Sequence, residues 1–158
     1  MRIAVDSSVL VALIDPRDIW RAQALALLGA LLDAHITPVY FDCVAAEAVS
    51  AATRRLHEKG RSAEVQALLD RLNAQVSIEV LTWILPDVPE LYPQALDLIR
   101  ASLGELNFND ALIALACRER DIPAIASFDA DFDQVTWLRR VAKPADVITM
   151  HTPLQPSA

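Results

Sequence analysis

Glycine is scarce in this chain of 158 residues, with three in all. Flexible linkers and low-complexity segments need far more, and 54% of the residues are apolar, so the composition is that of a chain that buries a core. Cysteine is scarcer still. Cys43 and Cys117 form no CxxC and have no metal-ligand spacing, which excludes a disulfide framework or a thiolate zinc site and leaves two buried thiols. Long apolar runs are missing too. No stretch is long enough to span a bilayer. The opening MRIAVDSSVL has a single Arg and an Asp inside its apolar run, unlike a secretory leader. The expectation is a cytoplasmic protein with no membrane partner.

Positive charge is also short: 14 Lys and Arg against 21 Asp and Glu, for a net charge of −7. Phosphate backbones attract cations, so this balance argues against binding nucleic acid through bulk charge. The cations that exist are uneven, however. Arg54, Arg55, Lys59 and Arg61 fall within eight positions.

Short apolar segments alternate with helical ones. Strands are expected at 3–5, 38–41, 76–83, 124–127 and 147–150. Helices are expected at 7–13, stopped before Pro16, and at 19–34, with Trp20 on its apolar stripe. Further helices are expected at 43–58 (capped by Asp42), 62–74 (capped by Ser62), 91–103 (ended by Gly104) and 108–120 (capped by Asn107). The run FDADFD reads as a loop. Strands alternating with helices make an α/β fold with a parallel sheet covered on both faces. The boundaries drawn are a single domain over 1–150 and a loose tail over 151–158.

In such a fold ligands gather at the carboxyl ends of the strands. Asp6 follows the first strand and Asp129 a later one, while Glu47 and Asp110 lie early in helices. Each has an ordinary structural explanation, as a cap, a dipole-friendly surface acid or a solvated turn. Together they form an all-oxygen set with no His or Cys, which suits Mg²⁺ or Mn²⁺ and argues against Zn²⁺. Two carboxylates at about 5 Å and an effective dielectric near 20 repel by on the order of 3 kcal/mol, so convergence makes sense where cations bind. Ions held in this way activate water and stabilise charge on a phosphodiester.

DSSVL at 6–10, AAEAVSA around Glu47, LNFNDALIALACRERDIP around Asp110 and AIASFDADF around Asp129 resemble, in order, the four acidic motifs of PIN domains. The third and fourth in tandem are specific; the first two are weak alone. Ser127 stands where the family usually has Thr. The resemblance covers roughly residues 1–150 and implies a three-layer α/β/α domain with a central parallel sheet. It also implies a metal-dependent endoribonuclease, with Asp6, Glu47, Asp110 and Asp129 as catalytic and metal-binding acids, joined by Asp131. Ser7, Ser8 and Ser127 would support them, and Arg54 and Arg55 would meet RNA. The chain's size resembles that of VapC-like toxins of type II toxin–antitoxin systems. That resemblance implies an RNA substrate, a protein antitoxin that masks the site, with Trp20, Trp83 and Trp137 available for contact, and a homodimer. The alternative is a PIN-fold RNA-binding or protein-binding module without nuclease activity. Two other Asp-after-strand-one enzymes fit poorly. A haloacid-dehalogenase-type enzyme needs a second Asp where Ser8 stands. A phosphoacceptor receiver needs an acidic pair after strand one, where Asp6 is followed by two serines, and a Lys that does not precede its strand as Lys143 does.

Overall fold

The computed structural model describes residues 1–151. From 152 onward, the tail expected at 151–158 lies outside the described residues. Five parallel strands, β1 (Arg2–Val5), β2 (Thr37–Phe41), β3 (Leu81–Thr82), β4 (Ala124–Ala126) and β5 (Arg139–Val141), form one sheet in the order β3-β2-β1-β4-β5. β1 is therefore central, and its Ile3, Ala4 and Val5 are buried, as are all three residues of β4.

Helices cover the sheet on both sides. α1 (Ser7–Ile14) has no charged residue and buries its last six, the pattern of a helix surrounded by protein. α2 (Arg21–Asp33), α3 (Asp42–Glu58) and α4 (Val65–Gln75) pack around it, with the short α7 (Pro144–Ile148) against α2. α5 (Val88–Ala101) and α6 (Phe108–Glu119) pair with each other over a smaller cluster of Leu91, Ala95, Ala111, Leu112 and Leu115. The result is three layers, α/β/α.

Several elements differ from the sequence expectations. The segment 147–150 is not a strand: Pro144 at a helix start and Asp146, which accepts from the Ala142 and Lys143 amides, turn it into α7 and a following 3-10 turn. The last strand is instead β5, which carries two arginines. The strand expected at 76–83 shrinks to Leu81–Thr82. Ser62 opens a 3-10 turn and makes no cap hydrogen bond. FDADFD is no loop throughout, since Ala130–Gln134 winds into a 3-10 helix capped by Asp129. α5 starts at Val88, ahead of the expected Leu91, and ends at Ala101. Asp42 does not cap α3 but sits in its first turn, buried, accepting from the amides of Cys43, Ile84 and Leu85 at 2.9, 3.0 and 3.1 Å. It thereby holds the chain leaving β3 against the start of α3.

Candidate active site

Parallel pairing brings the carboxyl ends of β1 and β4 side by side. The Asp6 amide continues the ladder by donating to the Ala126 carbonyl at 2.9 Å. The Asp6 side chain then caps α1, accepting from the Ser8 amide at 3.2 Å. Two hydroxyls converge on the same oxygen. Ser8 Oγ donates to Asp6 Oδ2 at 2.5 Å and Ser127 Oγ donates to it at 2.8 Å. Each serine also accepts from the β4 turn, Ser8 from the Phe128 amide at 3.1 Å and Ser127 from the Asp129 amide at 2.9 Å. With its proton committed to Asp6, each hydroxyl is an acceptor toward the backbone. The two serines lock the turns after β1 and β4 together, and no hydrogen bond among the described residues engages Asp6 Oδ1.

Asp129 leaves that turn exposed, accepting from the Asp131 amide at 2.9 Å. Asp110 comes from the other helix layer. It is 5% exposed and sits in a reciprocal cap: its amide donates to Asn107 Oδ1 at 3.1 Å, and its Oδ2 accepts from the Asn107 amide at 2.9 Å. Glu47 reaches in from α3, and its buried Oε2 has no hydrogen-bond partner.

The four acids share one electrostatic field. Burial pushes the Asp110 carboxyl up to about 7; the Asn107 amide pulls it down, and the charges of Asp6, Asp129 and Glu47 add to the rise. Burial and then the charge of Asp6 raise Glu47, with Asp129 adding to them and nearby Ser7 and Asn109 opposing. Asp131 is raised chiefly by the charge of Asp129. Of the cations, Arg140 feels the charge of Asp129, but it is paired with Asp133. Among the described residues, none of Asp6, Glu47, Asp110, Asp129 or Asp131 belongs to an ion pair.

The donors fit a hard divalent cation: carboxylate oxygens only, one of them buried and orphaned. They do not form a ready-made cage. Among the described residues, no three acidic, His or Cys side chains gather closely enough to grip an ion. Mg²⁺ keeps several waters and takes only one or two carboxylates directly, so this looser spacing is compatible with it.

The supporting serines divide: Ser8 and Ser127 hold Asp6, whereas Ser7 lies beside Glu47. Of the two arginines, Arg55 lines a hollow that also holds Asp129 and Ser8, while Arg54 is exposed and does not line it. Trp20 is not the core residue that its helical spacing suggests; it precedes α2 and is 46% exposed. Trp83 is likewise exposed, but Trp137 is partly buried, its indole donating to the Ala114 carbonyl at 3.1 Å. Two site residues are not among those expected: Asn109, beside Glu47, and Phe128, between Ser127 and Asp129. The asparagine preceding Asp110 and the aromatic preceding Asp129 were the available signals.

No curated protein matches the chain in sequence. Among solved structures, it is similar to the Mycobacterium tuberculosis toxin VapC20, described as cleaving the sarcin–ricin loop. The TM-score is 0.63 and the identity 22%, over 85% of this chain and 95% of that one. This likeness is one of fold. The sequence match is broader in meaning: the family model for the PIN domain aligns with residues 3–138, nearly the whole described chain, and its span takes in Asp6, Glu47, Asp110 and Asp129. The chain belongs to the PIN domain family.

Proposed function

We propose that the protein is an endoribonuclease that hydrolyses RNA phosphodiester bonds with Mg²⁺ or Mn²⁺ bound among Asp6, Glu47, Asp110 and Asp129, and that it is the toxin of a type II toxin–antitoxin pair. The observation that carries this reading is the concentration of mutually opposed carboxylates, none of which is in an ion pair among the described residues. A divalent ion bound here supplies positive charge for the phosphate oxygens and lowers the pKa of water. The chain's own residues do the rest. Ser8 and Ser127 fix Asp6 through Oδ2 and leave Oδ1 for binding. The Asn107 cap orients Asp110 in the same way, through one oxygen. Glu47 and Asp129 complete the ring, and Asp131 reinforces its charge. An acidic crevice of this kind also suits a partner that masks it with an inserted Arg or Lys, the role expected of a protein antitoxin. A homodimer is part of the same reading, by resemblance to VapC-like proteins.

The test is cleavage of end-labelled RNA, with a sarcin–ricin loop oligonucleotide among the substrates because VapC20 is described as cleaving that loop. Cleavage is expected with Mg²⁺ or Mn²⁺ and is expected to stop in chelator and in Asp129→Asn. Binding of RNA without any metal-dependent cleavage would support a binding module instead.

A further inference from the structure

Beside the acidic crevice lies a second, differently built feature. Residues 15–20, between α1 and α2, end in Trp20, whose ring stacks on that of Phe128 with centroids 5.3 Å apart and planes 25° from parallel. Phe128 is the residue between Ser127 and Asp129, and its amide is held by Ser8. The stack is thus anchored to the same turn as the acids. Asp18 organises its other side. That carboxylate, 9% exposed, accepts from the Trp20 amide at 2.8 Å and pairs with Arg55 at 3.2 Å. Arg55 keeps a half-exposed side chain. Ser8, Asp18, Trp20, Arg55, Phe128 and Asp129 surround one hollow of ≈ 330 Å³. A neighbouring hollow, which shares Asp18, Trp20 and Arg55 with the first, is lined also by Asp15, Arg17 and Lys59.

We infer that Trp20 and Phe128 form a shelf on which one unpaired base of a single-stranded RNA segment stacks, with Arg55 meeting the adjoining phosphate, so that the strand enters the acidic crevice in a fixed register. The inference rests on the ribonuclease reading and adds a specificity-determining contact to it. Three observations choose the occupant. A half-exposed indole already lying over a phenyl ring offers a flat face in a pocket of ligand size. Arg55 lines both hollows and is joined by Arg17 and Lys59 in the one away from Asp129, where the acids Asp15 and Asp18 are already paired with Arg61 and Arg55, a placement that suits a phosphate strand running toward bound metal ions. The shelf and Asp129 also share a wall, so a base on the shelf puts its own backbone beside the acids. Base stacking tolerates sequence, because every base has a π face. The shelf therefore selects for an unstacked nucleotide at one position, and duplex RNA, whose bases are already stacked, is disfavoured.

The experiment uses the whole chain carrying Asp110→Asn, in which the strand is expected to remain intact. A single-stranded RNA octamer is titrated in the presence of Mg²⁺ while tryptophan fluorescence is followed, and the RNA is checked for intactness afterwards. The same titration is run with an octamer of abasic ribonucleotides. Added Trp20→Ala is expected to weaken binding of the RNA by roughly tenfold to a hundredfold and to leave the abasic strand unaffected. Trp20→Phe, which keeps an aromatic face, is expected to retain most of the affinity. Arg55→Ala is expected to weaken both strands and lower the salt slope by about one, whereas Trp20→Ala leaves the slope unchanged. Melting curves check that each variant is folded. Equal binding of RNA by the parent chain and Trp20→Ala, alongside normal cleavage by the wild type, overturns the shelf and spares the nuclease. A wild type that neither binds nor cleaves RNA overturns both. Loss of a co-purifying protein partner in Trp20→Ala, with RNA binding intact, assigns the face to protein contact and also overturns the shelf.

Discussion

Replacing Asp110 by Asn removes one negative charge and keeps an oxygen for the Asn107 amide. In the metal-free chain burial pushes Asp110 up to about 7, so at neutral pH the acid is held against its preference. Its folded pKa lies above the unfolded value near 4, so the stability it contributes is complete below about pH 4 and is lost as the pH rises through about 7. In chelator the wild type is expected to gain melting temperature on going from about pH 8 to about pH 5 relative to Asp110→Asn, whose difference should be flatter. At pH 8 the variant should melt no lower than the wild type and should have lost nearly all cleavage. A variant that is far less stable in chelator would reduce Asp110 to a structural cap. Ser127 gives a complementary residue-scale test. It is fully buried and its hydroxyl joins Asp6 to the Asp129 amide. Ser127→Ala is expected to lower cleavage by roughly 10- to 100-fold, the usual loss when a group orienting a metal ligand is removed. Retained cleavage at saturating Mg²⁺ would show that Asp6 is oriented without it.

At the scale of elements, the end of α5 carries a strain that can be tested without touching the site. Ala101 is its last residue, and the chain turns back through Leu103 at φ 56° and Gly104 at φ 86°, with the Gly104 amide donating to Ile99 O at 2.9 Å. Gly104 suits that conformation; Leu103 does not, and being 93% exposed it gains no burial in return. Leu103→Asn, which tolerates the left-handed region, is expected to raise stability by about 0.5–1 kcal/mol in thermal or denaturant unfolding. The helices were the legible part of the sequence, because their apolar spacing and their terminal Asn107 and Gly104 agree. The strands at the edges were not. β5 combines two arginines with one valine and looks like a polar loop, while the largely apolar residues 147–150 read as a strand that Pro144 and Asp146 convert to a helix and turn. Short edge strands have little pattern to read, and their existence depends on a neighbour distant in sequence. For the site, the four acids were readable from their positions after strands and in helix starts. The hydrogen bond from Ser127 to Asp6 and the stack of Trp20 on Phe128 were not, since both join residues more than a hundred positions apart.

For the whole molecule, a net charge of −7 sets acid and RNA in opposition, and bound ions are the natural arbiter. An ion at about a hundred times its dissociation constant adds about 2.7 kcal/mol to stability, which is roughly 5–10 °C for a domain of this size. Mn²⁺ is expected to raise the wild-type melting temperature on that scale and that of Asp6→Asn clearly less, with calorimetry showing weaker binding in the variant. Equal responses would remove Asp6 from the ion site. The long-range counterpart concerns Arg54 and Arg55. Their joint replacement by Ala is expected to weaken RNA binding and to flatten its salt dependence by about one per lost phosphate contact; an unchanged slope would leave them as solvated cations at a helix end.

The order in which the chain visits the crevice divides the molecule into parts with different freedoms. Asp6 and Glu47 are delivered before α4, and Asp110 and Asp129 only after α5. The stretch between, from the end of α3 to the start of α6, contributes none of the four acids, yet its inner side is built into the core: α5 packs along α6 over Leu91, Ala95, Ala111, Leu112 and Leu115, α4 packs on α1 and α3, and Asp42 accepts from the Ile84 and Leu85 amides. That inner side therefore bears on the elements that deliver Asp6, Glu47 and Asp110, and a change there reaches the acids through packing. Its outer side chains, among them Ile78, Val80 and Trp83, face solvent and are the part of the segment that can diverge in evolution without reshaping the chemistry.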